Sequence, residues 1–260
     1  ITVLADMYNS SPLAAPNDLA LLKSGSLFFT SRPGNPDPDK GNPNAVYLLD
    51  LAAKQPAGRI LQRVLQWKSV QMPNGIVSSP DDKVLYLIEA HPDEGHNRLI
   101  YAYHLDAVDC WKAPRTLIDF SPGRSGDGMC IDAQGNLYVA AGLHKTRKTS
   151  ETLDTHPGIH VISPQGKLLA FLETPEDTIT NCTFGGPDLR TLDQDGPALD
   201  GGAAQAVDQP AGPDQLEFLA RLWHRRSLPP ERFRSGLTPD YRNALLESRR
   251  QYTSTTGSLP

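Results

Sequence analysis

Four polar residues recur along this sequence at nearly constant spacing: Asn17, Asn74, Asp127 and Asn181, separated by 57, 53 and 54 positions. Three are amides and one is a carboxylate. Brought to one place they would offer oxygen donors carrying a single negative charge. That ligand chemistry suits a hard cation such as Ca²⁺, Mg²⁺ or Mn²⁺, with Zn²⁺ admitted if water completes its shell. A divalent ion polarises a carbonyl and acidifies a water, and a neighbouring carboxylate can accept the proton. The same residue types also cap strand ends, where their side chains satisfy backbone donors. The choice between these roles rests on the elements that position them.

Each of the four stands at the start of a short apolar run: "PNDLALLKSGSLFFT" from Pro16, "PNGIVSSPDDKVLYLIE" from Pro73, "GDGMCIDAQGNLYVA" from Gly126 and "TNCTFGGPDLRTL" from Thr180. In the first three a polar turn follows (Lys23-Ser24-Gly25, Pro80-Asp81-Asp82, Ala133-Gln134-Gly135) and then a second run rich in Leu, Tyr and Phe. That is hairpin chemistry. Two further strand candidates complete each unit: "NAVYLLDLA" and "GRILQRVLQW", "RLIYAYHLD" and "RTLIDF", "GIHVISPQG" and "KLLAFLE". Four strands in about 55 residues is the plan of a β-propeller blade. The opening "ITVLAD" resembles "RTLIDF" and is expected to be the last strand of an earlier blade. The expected fold class is therefore all-β. Blades stand radially about a channel, so equivalent positions converge on its axis, and the four polar residues are expected to ring one channel mouth.

Together these words resemble the family of senescence marker protein, gluconolactonase and luciferin-regenerating enzyme, in particular its bacterial gluconolactonase-like branch. The resemblance covers residues 1–192 and implies a six-bladed β-propeller, of which about three to four blades fall within this chain. It implies hydrolysis of a sugar lactone with one divalent metal ion, Ca²⁺ in the first instance and Zn²⁺, Mg²⁺ or Mn²⁺ otherwise. By the same resemblance Asn74 and Asp127 are metal ligands, Asn17 binds substrate or metal, and Asp127 is the general base. The family's site also takes a Glu from its first blade, which the matching words do not include. A second reading, from a different class, is a non-catalytic propeller remnant used for binding or structure without that Glu.

The remaining features bound the picture. A net charge of −5 argues against a nucleic-acid surface, and no run approaches the roughly 18 apolar residues that span a bilayer. The opening "ITVLADMYNS" has no basic start or long apolar stretch, so no signal peptide is expected there, and the compartment is left as cytoplasm or periplasm. Cys110, Cys130 and Cys182 are too few and scattered for a disulfide framework and are expected as buried thiols. His91, His96 and His144 fall in loops after second strands, where plain surface histidines are one reading for each, and His144 is the candidate to touch substrate at the channel rim. Composition shifts near Leu192: nine Lys precede Arg190, whereas eight Arg and no Lys follow it. Residues 193–260 are expected to be a linker, disordered over 193–215, and then short helices in "PDQLEFLARLWHRR" and "TPDYRNALLESRRQY". Oligomeric state is not legible.

Overall fold

The polar turns close hairpins where the sequence places them, and the apolar runs between them pair as antiparallel strands. In the computed structural model the described residues are 3–35, 37, 40–51, 60–66, 68–107, 109–174, 178–185, 189–195 and 207–208. They are all-β and fall into two units, Ile1–Asp119 and Phe120–Pro260.

The first unit opens with a two-residue hairpin, β1 (Met7–Tyr8) and β2 (Ser11–Pro12). Asn9 and Ser10 at its turn have φ of 49° and 61°, the left-handed pair that a tight type I′ turn requires. This corrects the expectation of a strand in "ITVLAD": residues 3–6 are not strand. Pairing begins only where the turn folds the chain back and supplies a partner.

Two four-stranded meanders follow. The first is β3 (Pro16–Leu21), β4 (Leu27–Ser31), β5 (Ala45–Asp50) and β6 (Ile60–Gln66). The second is β7 (Pro73–Ser78), β8 (Val84–Ala90), β9 (Arg98–His104) and β10 (Arg115–Asp119). Alternation along the strands sends neighbours to opposite faces. Phe28 and Val46 face the second sheet, packing with Ile76, Leu85, Leu87 and Tyr103. Phe29 and Tyr47 face the other way, stacked at 5.1 Å and covered by Tyr8 and Leu13. Each fully buried Leu or Ile removed from water in this way contributes roughly 1.5–3 kcal/mol.

The second unit holds a third meander, β11 (Gly126–Ile131), β12 (Leu137–Ala141), β13 (Gly158–Ile162) and β14 (Leu168–Glu173). Every residue of β12 and β13 is buried, as expected of central strands covered on both faces. Their neighbour is a three-stranded sheet, β15 (Asn181–Gly185), β16 (Thr191–Asp195) and β17 (Val207–Asp208). Tyr138, Ile159 and Val161 pack against Ile179, Cys182 and Leu192. The boundary drawn at 192 thus falls inside β16, which runs to Asp195 and pairs with β17. The two expected tail helices lie outside the described residues.

Candidate functional site

The four sheets treat the recurring polar residue in two ways. In the first hairpin the ladder runs from Pro16↔Ser31 to Leu19↔Phe29, so Asn17 and Asp18 stand opposite Thr30 alone. In the second it runs from Pro73↔Glu89 to Ile76↔Leu87, setting Asn74 and Gly75 against Ile88. In the third it runs from Gly126↔Ala141 to Met129↔Val139, setting Asp127 and Gly128 against Ala140. Each is a one-residue bulge, a device that twists a strand and re-aims a side chain, often beside a site. Asn17, Asn74 and Asp127 are the first bulged residue each time. Asn181 is different: β15 pairs with β16 without a break, from Asn181↔Asp195 to Gly185↔Thr191.

Within the first unit Asn17 is exposed and Asn74 is buried. The residue beside Asn17 ties the two bulges together. Asp18 accepts the Leu19 N–H on Oδ1 at 2.9 Å and the Ile76 N–H on Oδ2 at 3.0 Å. Thr30, fully buried, accepts the Asp18 N–H at 3.1 Å and donates its hydroxyl to the Asn74 carbonyl at 2.9 Å. Asn17 also lines a hollow of about 320 Å³ whose other walls include Leu4, Leu13, Leu19 and Phe29. Glu89, opposite Pro73, is fully buried and accepts the N–H groups of Gln71 and Met72 at 2.8 and 2.9 Å. Burial pushes its carboxyl up to about 7, against the pull of those two N–H groups. It anchors the approach to the second bulge.

Within the second unit Asp127 is part-exposed, and its Oδ2 receives Nη2 of Arg124 at 2.5 Å. Arg124 is buried, and its Nη1 donates to the Ile179 carbonyl at 3.2 Å. Burial lowers the guanidinium below its ordinary range, with the Asp127 carboxylate opposing. Asn181 lies against the same bulge: Gly128 donates its N–H to Thr180 O at 2.7 Å, and a Cβ at Gly128 would collide with the Asn181 amide. The glycine after Asp127 is therefore required by close approach. Asn181 Oδ1 accepts the Cys182 N–H at 2.8 Å, the strand-capping role. His144 is exposed, with Nε2 at 2.9 Å from the Thr174 carbonyl. Its loop leaves β12 at the end carrying Ala141, the partner of Gly126, and Arg147 ties it down through Thr178 Oγ1.

Sequence reasoning singled out Asn17, Asn74, Asp127, Asn181 and His144 but not Arg124, Asp18 or Thr30. Arg124 stands three residues before Asp127, a spacing that by itself describes a surface pair. Asp18 follows Asn17 directly, and nothing local marks it as the clasp between strands.

The donor set fits a hard divalent ion in kind. Among the described residues no three His, Cys, Asp or Glu side chains converge.

Four-stranded antiparallel meanders, each opening on a bulged polar residue, define an all-β protein of the propeller type. Residues 1–192 match the SMP-30/Gluconolactonase/LRE-like region, and the chain belongs to that family. A gluconolactonase of Zymomonas mobilis subsp. mobilis is 31% identical over 199 residues, covering 71% of this chain and 49% of that protein. A 6-deoxy-6-sulfogluconolactonase of Pseudomonas putida is 31% identical over 125 residues, 47% of this chain and 37% of that protein. The chain thus spans half or less of the length of these relatives. A solved gluconolactonase structure from Xanthomonas campestris aligns at 28% identity with a TM-score of 0.55, covering 75% of this chain and 58% of that one.

Proposed function

We propose that this chain carries the reacting carboxylate of a hydrolase that opens a sugar lactone with the help of one divalent metal ion. Calcium is the expected ion; zinc, magnesium or manganese would serve the same chemistry. The observation that carries the reading is Asp127, part-exposed on a bulge with one oxygen held by the buried Arg124 guanidinium at 2.5 Å. Family membership and the gluconolactonase relatives support lactone ring opening as the reaction.

In this reading Asp127 is both charged ligand and general base. Arg124 fixes the carboxylate by a charge-assisted bond, the stronger class of hydrogen bond, so its orientation is set before substrate arrives. Asp127 takes the proton of the attacking water as the new C–O bond forms at the lactone carbonyl, and returns it to the ring oxygen as the ester C–O bond breaks. Asn74 is a neutral oxygen ligand, Asn17 a ligand or a contact to sugar hydroxyls, and His144 a contact at the rim. A bound divalent ion would polarise the carbonyl and acidify the water.

Initial rates of gluconolactone opening with added Ca²⁺, Zn²⁺ or Mn²⁺, corrected for spontaneous hydrolysis, test this. Asp127→Asn is expected to lose the catalysed rate by about 10²–10⁴-fold with unchanged circular dichroism, because the amide is nearly isosteric but accepts no proton. Full activity in Asp127→Asn would overturn the mechanism. No metal-stimulated rate in the wild-type chain would favour a non-catalytic propeller module.

A further inference from the structure

Cys130 and Cys182 are separated by 52 positions in the sequence yet lie side by side, with Sγ atoms 3.7 Å apart. Both are free thiols. They sit on β11 and β15, the first strands of successive sheets in the second unit. The backbone sets this approach. Gly128 N–H donates to Thr180 O at 2.7 Å, and each cysteine follows its partner in that bond by two residues. Two steps along extended chain return to the same side of the strand, so both thiols face the shared core around Tyr138 and Ile159. The Cys182 thiol donates to the Tyr138 carbonyl at 3.1 Å, so the hydrogen between the two sulfurs belongs to Cys130.

We infer that Cys130 and Cys182 form an oxidisable dithiol that closes to a disulfide between neighbouring sheets. Bond formation requires an S–S distance of about 2.05 Å. From 3.7 Å, that is an approach of about 1.7 Å (3.7 − 2.05) shared between two side chains. The oxidant is a low-molecular-weight disulfide. The half-buried Cys130, as thiolate, attacks one sulfur of that disulfide and expels a thiolate. Buried Cys182 then attacks the Cys130 sulfur and expels the second. The balance is two protein thiols and one small disulfide giving one protein disulfide and two small thiols. The neighbouring Cys182 thiol and burial both raise the Cys130 thiol above its ordinary range, so little thiolate is present near neutral pH and closure is slow rather than forbidden. The bond would lock β11, which carries Asp127, to β15, which carries Asn181. It does not depend on the lactone reaction.

The 260-residue chain is incubated with oxidised and reduced glutathione in a series of ratios under native conditions, then quenched in acid, unfolded, alkylated and mapped by mass spectrometry. The expected result is a fall from three alkylatable thiols to one, with a single cross-linked peptide joining Cys130 to Cys182 and Cys110 still alkylated. Cys110→Ala should leave this unchanged. Cys182→Ala should abolish it, leaving at most a glutathione adduct on Cys130. The wild-type map decides the matter even if a variant fails to fold. Full alkylation of both cysteines at the most oxidising ratio would overturn the inference, as would cross-links that involve Cys110 as often.

Discussion

Replacing Glu89 by glutamine isolates a carboxyl that folding holds near neutrality. Glu89 is fully buried, and its carboxyl moves from 4.5 to about 7, chiefly because burial penalises the charged form. Each pKa unit is worth about 1.4 kcal/mol, so the move amounts to about 3 kcal/mol. The folded value is the higher one. Its contribution is therefore fully present below about pH 4.5, falls as pH rises toward 7, and is gone above that. The first unit should be less stable at pH 8 than at pH 5 by about 2–3 kcal/mol from this group alone. The amide of the Glu89→Gln variant stays neutral throughout, and its carbonyl oxygen can still accept from the Gln71 and Met72 N–H groups. That variant should then show a flatter profile and equal or exceed wild type at pH 8. Hydrogen exchange of peptides from β7, β8 and β9 at pH 5 to 8, corrected for intrinsic rates, reads this directly. Parallel profiles in wild type and variant would refute the reasoning, because the pH dependence would then belong to other groups.

The second unit should respond in the opposite direction. His160 is buried and held down to about 4, mainly by burial, so the stability it contributes is complete above about pH 6.5 and is lost as pH falls toward 4, by about 3 kcal/mol. Peptides of β12 and β13 should lose exchange protection between pH 6.5 and 4.5 while Glu89 favours the first unit over the same range. Arg124→Gln is expected to lower kcat/KM for lactone opening by about 10–100-fold, with partial recovery in Arg124→Lys and a changed pH–rate profile; an unchanged profile would make the pair purely structural. Gly128→Ala should destabilise the second unit by about 1–3 kcal/mol through collision with the Asn181 side chain. Urea unfolding of Gly128→Ala combined with Asn181→Ala should show a smaller loss than the sum of the two single changes.

The hairpins were legible because their signals are local. Turn formers such as Ala133-Gln134-Gly135 and β-favouring runs such as "LYVAA" act within a few residues, and Gly135 adopts a left-handed φ of 85°. The period of the repeat carried the sheet order, since each meander pairs sequential strands. Spacing alone also put Asn17, Asn74 and Asp127 at equivalent positions. It included Asn181 as an equal, although its ladder has no bulge. A bulge is decided by how two strands pair, and "TNC" looks as suitable as "PNG" until that pairing is known. The strand expected in "ITVLAD" failed for the same reason: β-favouring residues do not pair without a neighbour.

What the sequence determined by itself is the all-β repeat, its turns and the polar residue that opens each hairpin, all encoded in periodicities of two residues and of about fifty-five. Tertiary structure decided which groups surround those residues. Arg124 became a buried clamp because the Ile179 carbonyl, 55 positions away, receives its other nitrogen. The Glu89 carboxyl was raised to about 7 because burial penalises its charged form, and Cys130 met Cys182 because Gly128 and Thr180 bring two first strands together. Burial and long-range contact are properties of the packed chain, and no local pattern of residues contains them.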